Sequence, residues 1–135
     1  MLTGCNPSGS GDEQASAGVP ALEGSAWRLV RIQSLNDYSW TPDEPADYVL
    51  RFRSENRLEG TSDCNRVGAT WRQDEAGFSL EEFSSTHALC QRGTLHNHFA
   101  SNLSMVNGAH MQGSNLRLTT DIEGVYVEME PLDSL

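Results

Sequence analysis

Apolar residues in this chain come in short alternating runs, each soon cut by turn-forming sequence. That pattern leaves room for little except antiparallel β-structure. Tyr48, Leu50 and Phe52 alternate with Val49, Arg51 and Arg53, the period of a strand with one buried and one wetter face. Ser25 to Gln33 carries Trp27, Leu29, Val30 and Ile32 and reads as a first strand. Residues 34–47 hold Asn36-Asp37, Pro42 and Pro45, a loop signature. Ser54 to Arg57 reads as a tight turn that returns the chain into Leu58–Thr61, which predicts a hairpin. Val67, Ala69 and Trp71 make a further alternating set, Gln73 to Gly77 turns, and Phe78 and Leu80 start another strand. Ala109–Met111, Leu116–Thr119 and Val125–Met129 follow, separated by Gly113-Ser114-Asn115 and Asp121 to Gly124.

One helix interrupts the series. Leu95, Phe99 and Leu103 recur every four residues, with Val106 on the same stripe. Thr94 is a suitable N-cap and Asn107-Gly108 a natural stop, so the helix is predicted over 94–106, its stripe packed on the sheet. Seven or eight strands without helices between them favour antiparallel pairing over a parallel α/β sheet. A small closed or nearly closed β-barrel also removes the exposed edges. The fold class is therefore mainly β (α+β), a small antiparallel barrel with one packed helix. No internal repeat of 20–50 residues is present.

With 135 residues and 14.8 kDa the chain has room for one domain. No apolar run approaches the about 18–20 residues that span a bilayer as a helix. Nine Arg face nineteen Asp plus Glu, for a net charge of −10. That balance argues against nucleic acid as a partner and against adsorption to anionic lipid through overall charge. Every cation is Arg, for the chain has no Lys. A GC-rich genome and a salt-adapted acidic surface both produce this bias.

Leu2-Thr3-Gly4-Cys5 has the form of a bacterial lipobox, in which the Cys becomes the acylated N-terminus. Only Met1 precedes it, so residues 1–4 read as the remnant of a leader. Residues 5–21 then read as the lipid-attachment Cys and a Gly/Ser-rich tether, which cannot bury enough apolar surface to offset ordering entropy. Residues 22–135 form the domain. Three Cys is an odd number, which sets Cys5 apart from Cys64 and Cys90. In the oxidising surroundings of a lipoprotein these two read as a disulfide. The alternatives are two buried reduced thiols, or a Cys90 nucleophile with His87 as base, which a disulfide excludes.

Other chemistry is thinly represented. His96 and His98 are two apart on the predicted helix and point about 200° away from each other, so they read as solvated and not as joint metal ligands. His87 and His110 complete the four histidines. No CxxC, HExxH, acidic calcium loop, GxSxG, Walker A or GxGxxG motif appears. Glu81-Glu82 and Asp43-Glu44 read as ordinary surface acids. No catalytic residue, metal or cofactor is expected.

Gly-Ser-Ala-Trp-Arg-Leu (24–29), Leu-Arg-Phe (50–52), Leu-Glu-Gly-Thr-Ser-Asp-Cys-Asn-Arg (58–66) and Ser-Thr-His-Ala-Leu-Cys (85–90) occur in that order, followed by the helix and Leu-Arg-Leu (116–118). This arrangement, over about residues 22–132, resembles the META domain, or HslJ-like, family of bacterial envelope lipoproteins. The matching motif residues are Gly60, Cys64, Asn65 and Arg66, with Thr86 and Cys90 as its second half. The aromatic that the family places soon after the Asn is Val67 here, with Trp71 available to fill the volume. The Glu often found at the helix start is replaced by His96 and Asn97. On physical grounds Gly60 permits close backbone approach, Asn65 satisfies local backbone groups, and Arg66 braces a carbonyl or carboxylate. The resemblance implies a lipocalin-like outline and a non-enzymatic lipoprotein facing the periplasm, on the outer membrane. It implies a role in heat-shock or envelope stress tolerance, or in novobiocin resistance. The expected partners are the membrane, through the lipid, and an envelope protein or a small apolar ligand, with no nucleic acid. A lipocalin-like carrier and an inhibitor or pilot-type chaperone are the alternative readings.

Overall fold

The computed structural model describes residues 21–75 and 77–132. Among them are nine strands: β1 (Ala26–Gln33), β2 (Ser39–Trp40), β3 (Tyr48–Arg53), β4 (Arg57–Ser62), β5 (Asn65–Asp74), β6 (Gly77–Ser85), β7 (Val106–Gln112), β8 (Asn115–Thr120) and β9 (Tyr126–Pro131). One α-helix, α1 (His96–Leu103), lies between β6 and β7. All pairing is antiparallel, in the order β6-β5-β4-β3-β1-β9-β8-β7, with β2 added to β1. Two meanders, β3 to β6 and β7 to β9, are thus joined through β1, which pairs with both β3 and β9. β6 and β7, the ends of this order, come side by side and leave an almost closed barrel.

The alternation read from sequence sets which side chains point inward. Tyr48, Leu50 and Phe52 are buried; of the face expected to be wetter, Val49 is also buried, Arg51 is half-buried and Arg53 is exposed. Leu29, Ile32, Leu50, Phe52, Leu58, Leu116, Leu118, Val127 and Met129 are all essentially without exposure and belong to one continuous cluster. Phe52 meets Trp71 and Phe78 edge-on, at ring-centroid distances of 5.6 Å and 6.2 Å. The barrel interior is therefore filled by its own side chains. Val67 and Trp71 are both buried in this cluster.

The helix is shorter than the sequence predicts. Leu95, Phe99, Leu103 and Val106 are all buried, but Val106 already belongs to β7. Asn107 and Gly108, expected to stop the helix, lie within β7 at an irregularity of its pairing with β8. A Cβ on Gly108 would stand 2.3 Å from Thr119 Oγ1, so glycine serves close strand approach here and not termination. Thr94 acts one residue outside its expected position: Leu95 is the N-cap, and Thr94 Oγ1 accepts a hydrogen bond from His96 N–H at 3.1 Å. The 34–47 loop contains the two-residue strand β2, which carries no periodicity to read.

Candidate functional site

The segment from β6 to α1, residues 86–95, crosses the barrel end where β4 turns into β5. Cys64, in that turn, is joined to Cys90 by a disulfide with a Cα–Cα distance of 5.6 Å. Asn65 opens β5 and is almost wholly buried. Its Oδ1 accepts hydrogen bonds from Ala88 N–H at 2.6 Å and from the Thr86 hydroxyl at 2.8 Å. Its Nδ2 donates to Ala88 O at 3.0 Å and faces Cys90 Sγ at 3.4 Å. Thr86 Oγ1 accepts from Arg66 N–H at 2.9 Å, and Thr86 N–H donates to Arg66 O at 3.0 Å. One buried amide thus binds both the N–H and the carbonyl of Ala88 and fixes the path of the largely exposed 86–90 segment. Arg66 joins this network through its backbone alone. Its guanidinium, expected to brace a carbonyl or carboxylate, is exposed, and among the described residues nothing is bonded to it. Gly60 sits opposite Leu50 in the β3–β4 ladder, where a Cβ would stand 2.1 Å from Val49 O. Cys5 and the expected tether through residue 20 lie outside the described residues.

Beside the disulfide is an open cleft of about 390 Å³. Asp43, Glu44, Asp47 and Asp63 line it, with Arg92 as the one cation in the lining. Asp43 and Glu44, read from sequence as ordinary surface acids, therefore belong to a concave wall. Leu89 stands on the rim with its side chain fully exposed. Among the described residues no group of three or more His, Cys, Asp or Glu is placed to hold a metal ion.

His96 departs most from the sequence reading. It is buried, not solvated, and its Nδ1 lies 2.8 Å from the hydroxyl of fully buried Ser62. Ser85 Oγ lies 3.4 Å from Nε2 on the other side of the ring. A serine beside an imidazole is half of a nucleophilic device. Here the serine is closed off from substrate, and a second hydroxyl occupies the place of an orienting carboxylate. The pair instead fastens β4 to α1, next to a second fastening in which Leu95 N–H donates to Tyr48 Oη at 2.7 Å. His98 is exposed and stacks on Trp40 at 4.0 Å. The Ser62–His96 pair joins residues 34 apart in the chain, and no local pattern announces it.

Burial holds the His96 imidazole below its ordinary pKa, nearby His87 adds to the shift, and Asp63 opposes it. The unfolded chain takes up this proton near pH 6.5 while the folded one still excludes it. The stability that His96 contributes is therefore complete above about pH 6.5 and is lost as pH falls through the folded-state value. Denaturant unfolding at about pH 7.5 and 5 is expected to show a larger loss for the native protein than for His96→Gln. Equal losses in the two proteins would refute this.

The family model of the META domain matches residues 20–131. No curated protein sequence matches the chain. Among solved structures, an NMR structure of a protein from Burkholderia xenovorans is similar with a TM-score of 0.68 at 16% identity, covering 84% of this chain and 85% of that one. A crystal structure of a DUF4847 family protein from Bacteroides vulgatus is similar with a TM-score of 0.62 at 14% identity, covering 84% and 96% of the two chains. At these identities the likeness is one of fold. The family match spans the whole barrel, including Gly60, the Asn65–Thr86 network and the disulfide, and the chain belongs to the META domain family.

Proposed function

We propose that this chain is a non-enzymatic lipoprotein of the bacterial envelope, anchored through Cys5 and facing the periplasm. In this reading it supports heat-shock and envelope stress tolerance or novobiocin resistance by binding a partner at its disulfide-closed end. The observation that carries the reading is the presentation of Leu89. Its side chain is fully exposed on a segment that Asn65, Thr86 and the Cys64–Cys90 bond hold in place. A contact surface ordered in advance loses little entropy on binding. The neighbouring carboxylates suit a partner with an apolar anchor flanked by basic groups. The filled barrel interior counts against a lipocalin-like carrier, which needs an open lumen. An inhibitor or pilot-type chaperone is one form that a surface-binding role takes.

Supplied with its upstream leader, the full chain is expected to partition with membranes, and Cys5→Ala to release it. In a strain lacking the protein, the native chain is expected to restore heat or novobiocin tolerance, while Cys5→Ala and Leu89→Asp fail. A soluble native protein, or full restoration by Leu89→Asp, would contradict the proposal.

A further inference from the structure

The outer face of β3, β4 and β5 has a charge opposite to that of the chain as a whole. Arg51, Arg53, Arg57, Arg66 and Arg72 point outward there, against Glu59 and Asp74 as the acids on these strands. Arg53 and Arg57 are directly paired across the ladder, an arrangement of like charges that weakens a sheet. Glu59 offsets this, reaching Arg53 Nε at 2.8 Å and Arg57 Nη1 at 3.3 Å. Arg72 on this face, and Arg28, Arg31 and Arg117 on other strands, each have a carboxylate within reach, while Arg92 in the 86–95 segment has no ion pair among the described residues. Arg51 and Arg66 have none among the described residues. They flank an open hollow of about 400 Å³ that also takes in Arg53 and Glu59. Within the fold Arg51 and Arg66 stay unneutralised side by side on one hollow, whereas an anionic surface in contact with them would neutralise both.

The path of the chain indicates which surface. Gly24, Ser25 and Ala26 share a second hollow with Arg51, Arg53 and Arg57. Gly24 N–H donates to Phe52 O at 2.7 Å, and Phe52 N–H donates to Ser25 O at 2.9 Å. The N-terminal segment therefore joins the barrel on this same face. Fifteen residues separate Cys5 from Ala21, so the attachment point is at most ~55 Å of extended chain from the first described residue. We propose that the β3–β5 face docks on anionic phospholipid headgroups, with Arg51 and Arg66 as its principal contacts. The choice of a membrane as occupant rests on the anchored reading given above. The net charge of −10 does not forbid this, because charges beyond the screening length of about 8–10 Å are largely silent at physiological salt.

The test uses the full unacylated chain carrying Cys5→Ser, so that no lipid contributes. Sedimentation with phosphatidylglycerol-containing vesicles is expected, with little binding to phosphatidylcholine vesicles and loss of binding at high salt. A basic residue at an anionic surface strengthens binding roughly fivefold. Arg51→Glu/Arg66→Glu is therefore expected to weaken binding roughly 25-fold or more. Arg92→Glu, beside the disulfide cleft, is the control for a change of charge elsewhere and is expected to leave binding within about twofold. The proposal is overturned by equal binding to both vesicle types, or by Arg51→Glu weakening binding no more than Arg92→Glu. It is also overturned if soluble polyglutamate binds in an Arg51- and Arg66-dependent way while vesicles do not, which would mark an acidic polypeptide as the partner. Failure of Cys5-dependent partition in cells with vesicle binding intact removes the anchor and leaves the docking face supported. The reverse result removes the docking face alone.

Discussion

Replacing Cys64 and Cys90 together with serine is expected to lower the unfolding free energy by roughly 3.5 kcal/mol. The bond closes a loop with a sequence separation of 26, and restricting the unfolded chain over that length gives this magnitude on the chain-entropy estimate. Against a usual margin of about 5–15 kcal/mol the loss is large, and it corresponds to a fall of roughly 10–15 °C in Tm. The double variant removes both sulfurs and leaves no lone thiol to cross-link. Asn65 still holds Ala88 in it, so the domain is expected to fold at low temperature with the 86–95 segment loosened. Calorimetry of the native and double-serine proteins checks the magnitude. A loss under about 1 kcal/mol would mean that the bond restricts the unfolded chain far less than its loop length implies.

Gly60→Ala is expected to cost about 3 kcal/mol or more, although it adds only one methyl group. That methyl would stand 2.1 Å from Val49 O and 3.0 Å from Leu50 Cδ2. The nearest obstacle is backbone, held in register by Leu50 opposite Gly60, so relief requires β3 and β4 to part. Gly68→Ala on the neighbouring strand is the matched comparison. Its nearest neighbour would be Leu58 O at 3.6 Å, ordinary contact distance, and the expected change is under about 1 kcal/mol. Urea unfolding of the two variants side by side decides the matter. Equal stabilities would show that the ladder yields at Gly60 without cost.

The strands were legible because a half-buried strand writes its own period. Tyr48, Leu50 and Phe52 point inward as their alternation requires, and so do Leu116 and Leu118. The disulfide followed from cysteine parity and the lipobox. Helix length was not legible: Val106 satisfies a helical stripe and an inward strand position equally well, and periodicity alone does not separate them. β2 has two residues and no period at all. The burial of His96 has no local signature, because it depends on Ser62, far away in sequence, which makes an interior site tolerable for imidazole. The arginine face is hidden in the sequence for a related reason. Net charge is a sum over the chain, and only strand register shows that Arg51, Arg53, Arg57 and Arg66 share one wall.

The placement of β1 between two meanders governs how the molecule is completed during synthesis. β3 to β6 can zip together as they emerge, each strand finding its partner nearby in the chain. The cysteines to be linked, 64 and 90, both belong to this early half or directly follow it. β1 emerges before any of these strands, yet one of its edges stays open until β9, the last strand, arrives to cover it. A chain halted before Tyr126 therefore exposes one long edge of β1, the form of this protein most prone to pair with a neighbour.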